Sequence, residues 1–351
     1  MDEEQHKKFM TRCLALAKKG QGQVAPNPMV GAVLVHNGKI IGEGFHQKYG
    51  EAHAEVNCIN DALQNAPGLI SSSILYVSLE PCAHFGKTPP CADLIAQHKI
   101  PQVVVACRDS FEEVNGRGVE KLKSAGIEVT EGVLEREAIE LNKRFFTFHN
   151  LQRPYIVLKW AQTADGFMAL GGKSRLLISN EITNRLVHKW RTEEAAILVG
   201  ANTAVADDTL LDSRLWPGKA PVKIIIDPNL TCSESLRMFQ QGEQVIVANV
   251  IRSSDDGKVV YLKANHGNFL QEIIAQLYEK KISSILVEGG RQTLRPFIDA
   301  GLWDEARVIT NTNLTVCSGL RSPELLNAEK INEQFILNDR IEFFKHRNAG
   351  F

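Results

Sequence analysis

The chain has 351 residues, of which 44% are hydrophobic and 23% are charged, so it is long enough for about two domains and too apolar for wholesale disorder. Its formal net charge of −1 at pH 7 disfavours nucleic acid as the main ligand, because that affinity rests on clustered Lys and Arg, whereas a small anionic substrate needs only a few cations. Seven cysteines, an odd number spread over a long chain, are not typical of a secreted disulfide scaffold.

Targeting and membrane segments are not indicated by the sequence. Residues 1–20 are charged and lack the apolar core and small-residue cleavage site of a signal peptide. No apolar run approaches the length that crosses a bilayer. We therefore expect a cytoplasmic protein without a membrane partner.

The first half of the chain alternates helices with strands. An apolar stripe from Phe9 to Ala17 predicts a helix that stops near Gly20. The dipeptide Asn37-Gly38 predicts a hairpin turn after a strand at 30–35. The other predicted elements are a helix over about 53–66, strands at 73–79, 102–107 and 127–130, and helices near 119–125 and 135–149. This order predicts a layered α/β domain with a mixed sheet.

A second α/β unit is predicted after the polar, proline-ended segment 149–154. Placing the boundary there gives domains at 1–149 and 150–351. The strands predicted in the second domain are 155–160, 195–199, 222–227, 245–249 and 284–288, and Asn180 is a candidate cap for a helix over 181–191.

Three short segments carry a candidate metal site: His53-Ala-Glu55, Glu80-Pro-Cys82 and Pro90-Cys91. One imidazole and two thiolates are a normal catalytic zinc set, because they leave a fourth position for water, whose pKa zinc lowers toward neutrality. Glu55 then suits a proton shuttle rather than a ligand. This pattern is typical of zinc deaminases, which act on an amidine-like ring carbon.

The spacing of the two cysteines departs from that signature, since eight residues rather than two separate Cys82 from Cys91. The alternative interpretation is that both thiols are small buried apolar groups and that His53 caps a helix. The joint pattern with two Pro-Cys pairs favours zinc.

The segments 26–31, 53–55 and 80–91 resemble the deaminase domain of the bifunctional deaminase–reductase family of riboflavin biosynthesis, in which the widened cysteine spacing is filled by His-Phe-Gly-Lys-Thr-Pro-Pro. Residues 109–118 are also similar to that family. The resemblance implies a cytidine-deaminase-like α/β/α fold. It also implies that the substrate, a phosphorylated pyrimidine, is held by Asn27, His46, His84 and Lys87.

The second half lacks a Gly-x-Gly-x-x-Gly fingerprint, so a Rossmann domain is not supported. Paired glycines at 289–290 follow a predicted strand and open a predicted helix, where backbone N–H groups can approach a phosphate. A simple strand-to-helix turn explains the same two glycines equally well.

Segments 158–166, 190–191, 199–208, 211–214 and 288–290 resemble the reductase domain of the same family. The resemblance implies a dihydrofolate-reductase-like α/β fold that uses NADPH, and catalytic roles for Lys159, Asp207 and Glu288. The residues that it implies for the cofactor are Ala161, Leu177, Thr203, Asp207, Gly290, Arg291, Gln292, Thr293, Leu294, Arg295 and Pro296. Those that it implies for the substrate are Ser174, Arg191, Leu211, Arg214 and Glu288.

These observations predict an enzyme with Zn²⁺ and NADPH as cofactors. It would deaminate 2,5-diamino-6-ribosylamino-4(3H)-pyrimidinone 5′-phosphate, reduce its ribosyl group to ribityl, and form a homo-oligomer, a dimer or tetramer. Leu177, where the family usually has Trp, and residues 309–322 depart from the family pattern. They leave open a monofunctional deaminase whose second domain is inactive or only dimerises. A deaminase of nucleic acid or of a free nucleoside is the other alternative.

Overall fold

The computed structural model describes residues 2–83, 89–109, 116–170, 176–240 and 242–348. The chain divides into two compact units, Met1–Leu151 and Gln152–Phe351. The boundary expected from the sequence, at 149/150, falls in the last residues of a helix that ends at Asn150. Among the described residues, no helix is long and apolar enough to cross a membrane.

The first unit contains a sheet sandwiched between helices. Its described strands are β1 (Gly31–His36), β2 (Lys39–Phe45), β3 (Ile74–Val77), β4 (Gln102–Val105) and β5 (Glu128–Glu131). Its described helices are α1 (Glu3–Ala17), α2 (Ala54–Asn65), α3 (Cys91–Gln97), α4 (Arg117–Ser124), α5 (Glu135–Leu141) and α6 (Lys143–Asn150), with 3-10 turns at Lys18–Gly20 and Pro67–Ser72.

The sheet order is β2-β1-β3-β4-β5. Strand β1 runs antiparallel to β2 and β3, whereas β3, β4 and β5 are parallel. His36 pairs with Lys39 across Asn37-Gly38, which confirms the predicted hairpin. Alternate strand residues face opposite sides, so α2, α3 and α4 cover one face while α1, α5 and α6 cover the other. This is the expected α/β/α layering.

The helix predicted over 135–149 is in fact two helices, and that prediction was wrong at Asn142. The backbone leaves the helical region there, with φ −103° and ψ 21°. Both ends of the Asn142 amide bond to the backbone of Met29, a contact between residues far apart in the sequence. A single sequence window cannot reveal such a partner.

The second unit is built on a larger sheet with helices on both faces. Its described strands are β6 (Tyr155–Thr163), β7 (Phe167–Ala169), β8 (Ala196–Gly200), β9 (Val222–Ile226), β10 (Val245–Asn249), β11 (Ser254–Asp255), β12 (Val259–Lys263), β13 (Ser284–Val287), β14 (Glu305–Asn311), β15 (Leu320–Arg321), β16 (Ala328–Ile336) and β17 (Asp339–His346). Its described helices are α7 (Glu181–Glu193), α8 (Ala201–Asp207), α9 (Arg237–Gln240), α10 (Phe269–Glu279) and α11 (Arg291–Asp299), with a 3-10 turn at His266–Asn268.

Within the described residues this sheet has the order β11-β12-β10-β9-β8-β13-β6-β14-β17-β16. The run from β12 to β14 is parallel, and β17 and β16 add to it as an antiparallel hairpin. Helices α10 and α11 pack on one face, and α7, α8 and α9 pack on the other. The side-chain oxygen of Asn180 accepts a hydrogen bond from the N–H of Thr183, which confirms the predicted cap.

All five strands predicted in the second unit are present, but the sequence analysis did not predict the other described strands, which are β7, β11, β12, β14, β15, β16 and β17. Strand β16 shows why, since five of its nine positions are polar or charged and six are exposed. The buried-strand pattern that identified the other strands is therefore missing there.

Candidate active sites

The three predicted metal ligands meet in the first unit. His53 is the residue before the first turn of α2, Cys82 follows the end of β3, and Cys91 opens α3. His53 Nδ1 lies 3.6 Å from Cys82 Sγ and 3.4 Å from Cys91 Sγ. The N–H of Cys91 also donates to Cys82 Sγ at 3.3 Å.

These distances and donors fit a zinc ion. A tetrahedral site with ordinary Zn–S and Zn–N bonds places its S and N atoms about 3.5 Å apart. The observed separations of 3.4 and 3.6 Å match that edge, and the ligand atoms of all three residues lie within 4.8 Å of one another. Three protein donors leave the fourth tetrahedral position for water, as a catalytic site requires.

Of the two cysteines, Cys82 is electrostatically prepared for such a role, whereas the hydrogen bond with Cys82 and burial raise the pKa of the Cys91 thiol. A hydrogen bond from Cys91 lowers the pKa of the Cys82 thiol, and His53 lowers it further, although burial acts in the opposite direction. A thiolate at Cys82 is the form in which cysteine binds a metal.

Glu55 lies in the first turn of α2, two residues from His53, and its side chain is 3% exposed. The helix start places both side chains at the same site, as the sequence analysis expected, because His53 has not yet entered the helix. Burial raises the pKa of Glu55 to about 7, while the neighbouring His53 opposes that rise. The carboxyl group is thus held beside the metal donors.

Two of the residues predicted to hold substrate lie in the same place. His46 stacks edge-on to His53, with 5.5 Å between ring centroids. Its Nδ1 lies 3.1 Å from the carbonyl oxygen of Ala52, so Nδ1 carries the proton and Nε2 accepts from the Asn27 amide at 3.3 Å. His84 and Lys87 lie outside the described residues.

Asn142 is a residue of this site that the sequence analysis missed. Its Oδ1 accepts from the N–H of Met29 at 2.8 Å, and its Nδ2 donates to the Met29 carbonyl at 2.9 Å. Met29 is two residues from Asn27, so the Asn142 amide fixes the segment that carries Asn27. What marks Asn142 as a positioning residue is its burial, at 3% exposed, together with its place at a helix break, and burial is not visible in the sequence.

In the second unit, Lys159, Arg191 and Glu288 form one buried charge cluster. Glu288 receives two hydrogen bonds from Arg191, at 2.9 and 2.8 Å, and one from Lys159 at 3.4 Å. Burial alone would raise the pKa of Glu288, but the charges of Arg191 and Lys159 outweigh it and lower that pKa to about 2. The three predicted residues are therefore brought together as an ionised triad.

The predicted cation Arg214 is linked to that cluster by Asp212, which hydrogen-bonds to both Arg191 and Arg214. Asp212 accepts from Arg191 through its backbone carbonyl and from Arg214 through its carboxylate. Burial, and then the charges of Arg191 and Arg214, lower the pKa of His188 to about 4, while the charges of Asp212 and Glu288 oppose that change.

Leu211 and Ser174 are the other residues predicted to contact the substrate. The side chain of Leu211 is buried in the core, so only its backbone can meet a ligand. Ser174 lies outside the described residues.

The predicted cofactor residues cluster where α8 and α11 begin. Gly290 precedes α11, whose first residues are 291–296, and Thr203 lies in the first turn of α8. Asn202 donates to Gln292 at 3.0 Å, which joins the two helix starts. The strand-to-helix turn weighed as the alternative is present, and it brings the first turns of two helices together.

Close packing inside this turn requires glycine at position 289. A Cβ added to Gly289 would lie 2.5 Å from the Cβ of Thr293, so only glycine fits there. Paired helix N-termini beside the ends of parallel strands suit the phosphates of NADPH.

The remaining predicted cofactor residues are more dispersed. Ala161 is in β6, Asp207 is the last residue of α8, and Leu177 is 75% exposed.

Two family models match the chain. The cytidine and deoxycytidylate deaminase zinc-binding region matches residues 3–107, and the RibD C-terminal domain matches residues 154–314. The riboflavin biosynthesis protein RibD of Aquifex aeolicus is 42% identical over 98% of this chain and 99% of its own length. The chain belongs to the RibD family.

Other members agree over most of their length. RibD of Escherichia coli is 34% identical over 85% of each chain. The crystal structure of the Thermotoga maritima diaminohydroxyphosphoribosylaminopyrimidine deaminase/5-amino-6-(5-phosphoribosylamino)uracil reductase matches with a TM-score of 0.90 at 35% identity, over 98% of this chain and 99% of that one. Acinetobacter baumannii RibD matches with a TM-score of 0.90 at 30% identity.

Membership of the RibD family establishes the class of enzyme. The chain is a bifunctional enzyme of riboflavin biosynthesis, with a cytidine-deaminase-like domain followed by a reductase domain. Its cofactors are Zn²⁺ for the deaminase and NADPH for the reductase. The comparisons do not favour the alternative of a monofunctional deaminase, since the reductase domain is matched together with the first domain in full-length relatives.

Proposed function

We propose that the first unit deaminates 2,5-diamino-6-ribosylamino-4(3H)-pyrimidinone 5′-phosphate and that the second unit then reduces the ribosyl group to ribityl. The observation that carries the first step is the convergence of His53 Nδ1 with the thiols of Cys82 and Cys91. The substrate class follows from the name of the similar Thermotoga maritima enzyme.

For deamination, we propose His53, Cys82 and Cys91 as the metal ligands. Bound there, Zn²⁺ supplies an activated water for hydrolysis. Glu55 takes a proton from the attacking water and delivers one to the amino nitrogen, which leaves as ammonia. Asn27 and His46 hold the pyrimidine ring, and Lys87 and His84 complete the substrate contacts.

For reduction, bound NADPH supplies a hydride to C1′ of the ribosyl group. The bond from C1′ to the ring oxygen breaks, and that oxygen takes up a proton. Lys159 is the proposed proton donor, because it is the lysine of the buried charge cluster and its Nζ lies 3.4 Å from Glu288. Arg214, whose side chain is 57% exposed, receives the phosphate tail, and Asp207 with 290–296 positions the cofactor.

We further propose self-association, in keeping with the oligomer predicted from the sequence. Strand β16 is the last strand of the larger sheet, and Ile331, Phe335 and Leu337 on or beside it are 50%, 63% and 74% exposed. An edge strand with exposed apolar side chains readily pairs with a second copy. Light scattering, which measures the mass of the particle in solution, would test this self-association. The cytoplasmic location stays a prediction.

The bifunctional assignment is tested by metal analysis combined with a two-step assay. Purified protein is expected to hold about one zinc per chain. Given the diaminopyrimidine ribotide, it should release ammonia, and with NADPH it should then oxidise the cofactor. The dephosphorylated riboside and single-stranded DNA serve as controls that should release far less ammonia. Deamination of the ribotide without NADPH oxidation would contradict the second step.

A further inference from the structure

Glu80 is a buried carboxylate that the reaction steps above do not use. It follows β3, directly precedes Pro81 and Cys82, and is 4% exposed. Among the described residues, four backbone N–H groups donate to its two oxygens. Oε2 accepts from Asp109 at 3.2 Å and Gly116 at 3.0 Å, and Oε1 accepts from Gly118 at 2.9 Å and Val119 at 3.1 Å.

The four donors lie on both sides of residues 110–115. The N–H groups of Gly118 and Val119 belong to the first turn of α4, where they have no partner within the helix. A carboxylate at a helix start also complements the helix dipole, and hydrogen bonds to an ionised acceptor are the stronger ones. Glu80 therefore binds the start of α4 to the end of β3.

Pro81 lies against the same helix start. A Cβ added to Gly118 would lie 1.9 Å from the carbonyl oxygen of Pro81, so these two backbones are in direct contact. Cys82 is held from the other side, because its carbonyl accepts from the N–H of Ala92 at 3.2 Å in the first turn of α3. The ligand is thus fixed between two helix starts.

We propose that Glu80 is a positioning residue of the metal centre, which sets Cys82 at the separation from His53 that zinc requires. The proposal rests on the ligand set of the proposed function. It also gives a role to Asp109, Gly116 and Gly118, the described residues that bond to Glu80 within the segment that resembles the family. Residues that orient a metal ligand from outside the coordination sphere commonly contribute 10- to 100-fold, roughly, to metal affinity.

The test compares Glu80→Gln with wild type and with Glu131→Gln as a matched control. Glu131 is also a carboxylate of the first unit, but it pairs with Arg108 and Lys123 at the surface. Zinc affinity is measured by chelator competition, and the thiolate-to-metal absorption bands are recorded with Co²⁺ in place of zinc. Glu80→Gln is expected to weaken zinc binding about 10- to 100-fold and to shift the Co²⁺ bands, while the control changes neither.

A Glu80→Gln variant that unfolds more easily yet binds zinc as wild type does, with unchanged Co²⁺ bands, would overturn the proposal, because Glu80 would then be merely structural. If that variant does not fold, Gly118→Ala is measured, since it displaces Pro81 while keeping the carboxylate. Shifted bands there support the proposal, and wild-type bands and affinity overturn it. If the wild-type chain binds no zinc, the proposed ligand set is wrong as well. A failure of the ligand set is therefore distinguishable from a failure of the role proposed for Glu80.

Discussion

Arg191 and Glu288 form a bidentate ion pair, with Nε 2.9 Å from Oε1 and Nη2 2.8 Å from Oε2. The planar donor face that suits a phosphate is therefore occupied by a carboxylate. Arg214 has a 57% exposed side chain and is the more accessible cation for the phosphate tail. The substrate role expected for Arg191 stays a prediction.

The pair makes stability of the second unit depend on pH. The pKa of Glu288 is lowered from 4.5 to about 2 in the folded state. A lowered pKa contributes stability that is present above the unfolded value and is lost as pH falls through the folded value. The shift corresponds to about 3 kcal/mol, as an order of magnitude.

We expect Glu288→Gln to abolish reduction, to spare deamination, and to lower the free energy of unfolding of the second unit. The difference from wild type should be largest above about pH 5 and shrink as the pH falls toward about 2. Urea unfolding followed by tryptophan fluorescence measures it, because all four Trp residues lie in 152–351. A difference that is constant with pH would contradict the assignment.

Cys91→Ser should remove zinc and deaminase activity, because one of three protein donors is lost. NADPH binding and reduction of pre-deaminated substrate should be unchanged. Elemental analysis with both assays checks this, and Cys107→Ser is the control, since Cys107 is a buried thiol outside the donor cluster. Stoichiometric zinc in the Cys91 variant would show that another residue is the third ligand.

Glu55→Gln should keep zinc but slow deamination roughly 10²- to 10⁴-fold, the usual contribution of general acid–base catalysis. The amide is nearly the same size but cannot accept and return a proton. The measurement is single-turnover ammonia release at saturating substrate, together with zinc content. Loss of zinc along with activity would instead make Glu55 a ligand.

Asn142→Ala should raise KM for deamination while zinc is retained. The substitution leaves the N–H and carbonyl of Met29 without their partner, at a cost of roughly 1–3 kcal/mol for each buried group, and frees the segment that holds Asn27. Asn142→Asp should recover part of the effect, because it still accepts from Met29. Steady-state kinetics of the two variants decide, and an unchanged KM in Asn142→Ala would remove this residue from substrate positioning.

Asp207→Ala should reduce NADPH oxidation and leave deamination almost intact, because Asp207 and the metal site belong to separate units and independent sites rarely couple. Its neighbour Asp208, whose carboxylate accepts from the N–H of Arg237, provides the control for general damage to α8. Both activities are measured on the same preparations. Equal losses in the two activities would argue against separate sites.

The metal site was predictable from the sequence because its chemistry is carried by residue types in short motifs. His53-Ala-Glu55 and two Pro-Cys pairs specify donors and a proton carrier without reference to the fold. Continuous apolar runs likewise predicted β1 and β10, and an apolar stripe predicted α1, since burial leaves such patterns along the chain.

The tertiary structure alone decided which polar groups meet. Asn142 bonds to Met29, Glu80 to the start of α4, and Arg191 to Glu288, and each partner is distant in sequence. Hydrogen bonds and ion pairs of this kind depend on where the backbone brings two side chains, and they leave no period in the sequence. The sequence by itself therefore determined the zinc chemistry and the alternation of helices and strands, while the fold determined which residues hold that chemistry in place.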